Sequence, residues 1–386
     1  MFFNVQPFWN GMSETPEIFG VTPFFNIFTL LLAPLRLYIT FEHIPMYSAM
    51  VACRILTGFI LLVLLAPLHA EAQIWRYKIG YFGFLDNREY FNPYVNDQTI
   101  FGSRLYGEAG VSFDENKMIM GGINYLYEFG SKGELLAPDI TLYYNSKHKN
   151  LDFYLGAFPR LNLIQMPMAL MIDTFQYYRP NVEGILMNYS TKNFRHNIWI
   201  DWTGRQSNNT RERFMLGFSG WARMGILTYQ HHFVMSHVAH TFNSTPDQHL
   251  RDNGGFSAML GMDLSSLTGL DSLTFSAGFL GSYDRLRGVY DMVTSFGCLG
   301  EIEAVYKGFG LHGIIYSGDS QEIISGDGFY RSAFYSRADA FYQVSRSGIQ
   351  GRLQFSFHFV PDILDLSMSL LIRAQLEGIF RSHHSN

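Results

Sequence analysis

The segment YQHHFVMSHVAHTF concentrates four imidazoles, His231, His232, His237 and His240. In an extended strand successive side chains point to opposite faces, so His231 and His237 share one face and His232 and His240 the other. No pair has the i, i+2 spacing that sets two imidazoles side by side for a metal ion, and no metal site is expected. A serine hydrolase at a membrane rim would need a Ser and a His within reach of one another and a polar group to orient the ring. There is no G-x-S-x-G element, and Tyr283-Asp284 and Ser356 with His358 read as ordinary strand neighbours. On these grounds no catalytic residue and no cofactor are assigned, and the chain is expected not to be an enzyme.

The other residues able to do chemistry are charges that recur at alternate positions. Arg104, Glu108, Glu128, Asp201, Arg205, Glu301, Glu303, Arg337, Asp339, Arg352, Arg373 and Glu377 all fall on the polar side of an alternating segment. A ring of one sign would select ions, but the net charge is only −5 and both signs are mixed. Arg well outnumbers Lys, which suits bidentate pairing with carboxylates across a wall of strands. Arg337, Arg352 and Arg373 lie on three successive segments and form a basic ladder that Asp339 and Glu377 stand ready to neutralise. Tyr106, Tyr154, Trp199, Trp221, Tyr335 and Phe341 share the polar side, where packing and interfacial roles are expected ahead of sugar stacking.

What positions these residues is a period of two. In residues 349–359, Ile349, Leu353, Phe355, Phe357 and Phe359 oppose Gln350, Arg352, Gln354, Ser356 and His358. Residues 101–113 and 364–377 repeat the pattern, which is that of a strand with one apolar face. Sixteen such strands are expected, beginning near residues 74, 100, 118, 138, 150, 182, 196, 213, 226, 255, 271, 295, 309, 333, 349 and 364. Most run longer than strands in soluble sheets and match the length a tilted membrane strand requires. Short links after even-numbered strands alternate with longer ones after most odd-numbered strands, the order of a transmembrane barrel with short turns at one end and long loops at the other. Composition agrees. Hydrophobic residues are 47% of the 386, charged residues 16% and aromatics 16%, while mean hydropathy is +0.01. That excludes disorder, which needs much charge and few aromatics, and disfavours a bundle of apolar spanning helices. A sheet with one face in lipid and the other in water gives such an average. The sequence pI of 6.2 gives no support for a nucleic-acid partner.

Residues 50–72, MVACRILTGFILLVLLAPLHAEA, have a basic start at Arg54, an apolar run and an Ala70-Glu71-Ala72 cleavage site, and are expected to be a secretory signal peptide. Residues 1–49 are expected to be a mis-assigned start or an N-terminal extension, and residues 73–386 a single barrel domain. Cys53 lies in the leader, which leaves Cys298 and no intrachain disulfide.

With its leader, its sixteen alternating strands and its sorted links, the chain resembles the Gram-negative outer-membrane porins of the sixteen-stranded type. The resemblance covers residues 73–386. It implies an all-β transmembrane antiparallel β-barrel in the outer membrane, short periplasmic turns, long external loops, insertion by the barrel-assembly machinery and assembly into a homo-oligomer. In such porins the loop after the fifth strand folds into the lumen; here that link is PRLNLIQMPMALMIDTFQYYRPN, so Arg160, Asp173, Tyr177, Tyr178 and Arg179 become constriction-loop candidates. Porins usually end on an aromatic residue, whereas Phe380 is followed here by RSHHSN. The expected function is passive diffusion of small hydrophilic solutes. An outer-membrane lipid-modifying enzyme, which would need a rim Ser/His pair, and a structural or adhesive barrel with a plugged lumen are the alternatives.

Overall fold

The computed structural model describes residues 74–131 and 137–381; the expected leader and N-terminal extension lie outside them. Sixteen antiparallel strands follow one another in chain order and the last pairs with the first, closing a barrel. They are β1 (Ile74–Glu89), β2 (Gln98–Asp114), β3 (Lys117–Glu128), β4 (Asp139–His148), β5 (Leu151–Pro159), β6 (Asn181–Ser190), β7 (Phe194–Gly204) and β8 (Arg213–Met224), then β9 (Leu227–Val238), β10 (Arg251–Asp263), β11 (Ser272–Leu286), β12 (Tyr290–Tyr306), β13 (Phe309–Gly318), β14 (Phe334–Arg346), β15 (Ile349–Val360) and β16 (Ile363–Arg381). Closure is what a spanning sheet requires, because lipid cannot satisfy an unpaired strand edge. The expected sixteen-stranded all-β barrel is therefore the fold.

The alternation maps onto the two faces. In β15, Ile349, Leu353, Phe355, Phe357 and Phe359 are exposed on the outside, whereas Ser356 and His358 are buried inside. Outward Trp75, Tyr189, Tyr229, Tyr306 and Tyr342 ring the short-turn end, and Tyr127, Trp202, Tyr290 and Phe334 the long-loop end, the two aromatic girdles of a membrane barrel. At the short-turn end Lys307-Gly308 and Ser347-Gly348 both have positive φ at each residue, the two-residue turn whose twist matches that of the flanking strands. Phe279, 62% exposed midway along β11, faces the middle of the lipid band. Phe279→Arg is expected to cost about 2–4 kcal/mol, read as a lower denaturant midpoint for folding into lipid vesicles; an unchanged midpoint would place that face out of lipid.

Two loops complete the interior. The β5–β6 link carries a short helix, α1 (Phe175–Tyr178), and the β13–β14 link a 3₁₀ turn at Gly328–Arg331. The links are tied to each other: Ile172 N–H donates to Ser325 O at 2.8 Å, Ser325 Oγ to Leu170 O at 2.7 Å and Asp327 N–H to Met168 O at 2.9 Å. Ala169, Leu170, Met171, Ile323, Phe329 and Tyr330 are buried in one cluster with Met120, Phe158, Trp199, Val234, Leu280, Tyr316 and Tyr335 of the wall. On the remaining side Tyr177 packs with Phe82, Phe84, Ile100 and Leu126. The plug so packs against the wall on several sides at the long-loop end. The apolar middle of the β5–β6 link, poorly suited to lining a water-filled pore, is the part that fills it.

Candidate functional site

Strand parity and the plug bring most of the charged residues picked from the sequence into one internal network. Arg104 is buried and donates to Asn124 Oδ1 at 2.8 Å, to Asp139 Oδ2 at 3.0 Å and to the carbonyl of Tyr177. Glu108 accepts from Tyr143 at 3.3 Å and lies 3.6 Å from Lys78 Nζ. Asp201, with no exposed surface, holds Arg160 and, at 3.7 Å, Arg179. Asp173 of the plug meets Arg88 at 2.8 Å, Tyr177 Oη donates to Asp86 at 3.2 Å, and Tyr178 Oη to Glu128 at 2.7 Å. Arg337 and Asp339 pair at 2.6 Å, with His312 3.1 Å from the same carboxylate. Glu303 accepts from Ser272 at 3.2 Å, and Glu377 from Gln375 at 3.2 Å near the short-turn end. Glu301 is half-buried on the lumen side of β12. Arg205 stands apart, exposed in the link beyond β7, where a register shift between Trp202 and Gly204 ends the pairing. Arg352 and Arg373 have no carboxylate partner among the described residues. Most of these groups serve the attachment of the plug.

Asp327 caps the 3₁₀ turn, accepting from Phe329 N–H at 3.2 Å. Its burial pushes the carboxyl up to about 6, against the smaller opposing effects of that hydrogen bond and of Arg337. A carboxyl whose pKa is raised on docking favours the docked plug below about 4, and this contribution is lost as pH rises through about 6. With each rate divided by that of trypsin on a small ester substrate at the same pH, cleavage after Arg331 is therefore expected to be faster at pH 7.5 than at pH 5, and Asp327→Asn to remove the difference. Equal rates in the unmodified protein at both pH values would contradict this.

A second group of residues lies on the outer face, at the long-loop end. Trp202, Phe214, His237, Asp252 and Arg285 are direct cross-strand partners in one row over β7 to β11. His237 Nδ1 donates to Asp252 Oδ1 at 2.7 Å, since the carboxylate can only accept. Arg287 Nε donates to Asp252 Oδ2 at 2.8 Å. The imidazole stacks on Phe214, centroids 4.9 Å apart, and Phe214 on Trp202 at 5.2 Å. The His and Asp side chains are only 17% and 15% exposed, and Arg287 is half-exposed. His237 Nε2 has no protein partner among the described residues. Register shifts at Trp202/Gly204 and Asp284/Leu286 flank the row; bulges commonly re-aim side chains beside functional sites. The arrangement is a base oriented by a carboxylate, set on the outer face at the long-loop end, in one row with exposed Trp202.

The sequence matches the lipid A 3'-O-deacylase-type family over residues 69–380. The chain belongs to this family. Membership overturns the expectation of a non-enzymatic protein, because the family is named for an ester hydrolysis. The physical reason for the error is that lumen-in, lipid-out alternation is the same for a channel and for an enzyme of the same architecture, and a catalytic group needs only a few residues, which the alternation does not mark. No curated protein sequence matches the chain. Solved structures with a similar barrel include Pseudomonas putida OprB (TM-score 0.46, 10% identity, covering 78% of this chain and 94% of that one) and a Salmonella typhi OmpF complex with daunomycin (0.47, 10%, 78% and 97%). Pseudomonas aeruginosa OccK3 gives 0.45 and 11%, covering 78% and 96%. These are likenesses of fold. Within-strand spacing missed the rim pair: His237 and Asp252 are fifteen positions apart on different strands, and only the β9–β10 register joins them.

Proposed function

We propose that the barrel is an outer-membrane deacylase that hydrolyses an ester-linked acyl chain of a lipid A-type glycolipid in the outer leaflet. The observation that carries the reading is the outward His237–Asp252–Arg287 array in a chain of this family. The array sits at the level where the ester bonds of an outer-leaflet lipid lie, provided the long loops face outward as in other membrane barrels. Asp252 holds the Nδ1 proton, leaving Nε2 to take a proton from water as the oxygen attacks the acyl carbonyl carbon. The tetrahedral intermediate then expels the sugar oxygen, which recovers that proton from the imidazolium, and a fatty acid leaves. Arg285 and Arg287 offer positive charge to the oxyanion and to headgroup phosphates. Trp202 and Phe214 fix the depth of the site at the interface. Purified protein incubated with lipid A in mixed micelles should release free fatty acid, and Asp252→Asn should slow the release; no release under any condition would end this reading.

Passage of small hydrophilic solutes has one observation in its favour, a hollow of about 550 Å³ inside the barrel lined partly by Arg195, Asn197, Gln230 and His232. It requires the plug to leave the lumen. Insertion by the barrel-assembly machinery and oligomerisation in outer-membrane lipid belong to the same proposal.

A further inference from the structure

The interior neutralises its guanidinium groups with carboxylates: Arg88 with Asp86 and Asp173, Arg104 with Asp139, Arg160 and Arg179 with Asp201, Arg251 with Asp284, Arg337 with Asp339. Arg76 and Arg195 instead bond to hydroxyl, amide and backbone oxygens, and Arg352 and Arg373 are also without a carboxylate partner among the described residues. Arg352 donates only to the amide oxygens of Gln354 and Gln343, and Arg373 only to that of Gln176. Each guanidinium lies over an aromatic ring, Arg352 3.7 Å from the centroid of Phe341 and Arg373 3.6 Å from that of Phe82. Stacking and amide bonds hold the planes while leaving the charge unmatched. Of five N–H donors on each group, Arg352 uses three and Arg373 one.

The two residues are neighbours. Arg352 pairs with Leu371 and Arg373 with Gln350 across β15 and β16, which places the two residues diagonally on one face with backbone positions about 7–8 Å apart, their guanidinium groups leaning apart over Phe341 of β14 and Phe82 of β1. Arg352 lines the hollow beneath the plug, and so does Gln176, the partner of Arg373. That hollow shares Trp221, Gln230, Glu301 and His312 with a second one of about 370 Å³, which reaches Arg223, Thr228 and Asp263 beside the short turns. With the long-loop end filled by the plug, access is from the short-turn side.

We infer that Arg352 and Arg373 form a binding site for the oxyanion groups, phosphate or carboxylate, of a small solute entering from the periplasm. Two half-buried guanidinium groups have been partly stripped of water and hydrogen-bond to no carboxylate, so a solute with two anionic ends that engages both gains charge-assisted bonds at low reorganisation cost. The site is separate from the rim array and does not depend on the deacylase reading.

Calorimetric titration of the purified full chain with inorganic pyrophosphate and, separately, with succinate tests this, with heat-modifiable gel mobility confirming that each variant is folded. Binding of at least one of the two is expected. Arg352→Gln or Arg373→Gln should each weaken it about tenfold or more, and the double variant should abolish it. Arg352→Lys should be intermediate, because it keeps the charge but not the planar fork. Pyrophosphate alone would assign the site to phosphate groups, succinate alone to carboxylates. Failure of both anions to bind at millimolar concentration, or equal binding by the folded double variant, would overturn the inference.

Discussion

His237→Ala is expected to lower the rate of ester hydrolysis about 100- to 10,000-fold, the usual contribution of a positioned general base. The residue lies outside the barrel's internal packing, stacked on Phe214 and hydrogen-bonded to Asp252, so the variant should fold and keep its lipid affinity. The loss should therefore fall on kcat rather than KM. Asp252→Asn should cost less than removal of the ring itself, since the imidazole stays stacked on Phe214 but loses the carboxylate that fixes its tautomer and stabilises its cation. Rate measurements on micellar lipid with both variants check the order. Equal, unchanged rates in both would remove the rim array from the chemistry.

The second large effect concerns the plug. Phe329 is fully buried against Tyr335 and His358, with centroids at 5.1 and 4.4 Å and nearly parallel planes, and Tyr90 meets its edge at 5.0 Å. Phe329→Ala removes these contacts and leaves a cavity, a change that costs about 3–5 kcal/mol in well-packed interiors. If that energy falls on docking of the loops, the docked fraction relative to the undocked drops by roughly 100- to 4,000-fold. In planar bilayers the unmodified protein should stay closed and the variant should show open events. Large steady conductance from the unmodified protein would contradict docked loops that block the lumen.

The barrel was legible because lipid and lumen impose opposite demands on alternate residues for most of each strand's length. Where strands rise past the lipid band that demand disappears. β10 begins at Arg251 rather than near 255, and β12 at Tyr290 rather than near 295, because Arg251-Asp252-Asn253 and Asp291 carry no apolar face to mark them. The site was lost in that same polar extension, since Asp252 lies in it. The β5–β6 link was recognisable as an inward loop only through the resemblance to porins, in which the loop after the fifth strand turns into the lumen. Its partner at residues 319–333 was not: Ser, Gly and Asp dominate it as in any exposed loop, and Ile323, Phe329 and Tyr330 are too irregularly spaced to announce burial. The basic ladder of Arg337, Arg352 and Arg373 was visible, but only the side-chain contacts show that Asp339 neutralises the first alone.

Mass spectrometry of lipid A extracted from the outer membranes of cells producing the protein tests the central claim most directly. The deacylase account predicts a species lighter by one ester-linked acyl chain with the unmodified barrel and its disappearance with His237→Ala at equal folded amounts. Lipid A of unchanged mass with the unmodified protein, or the same shortened species with both, would contradict it.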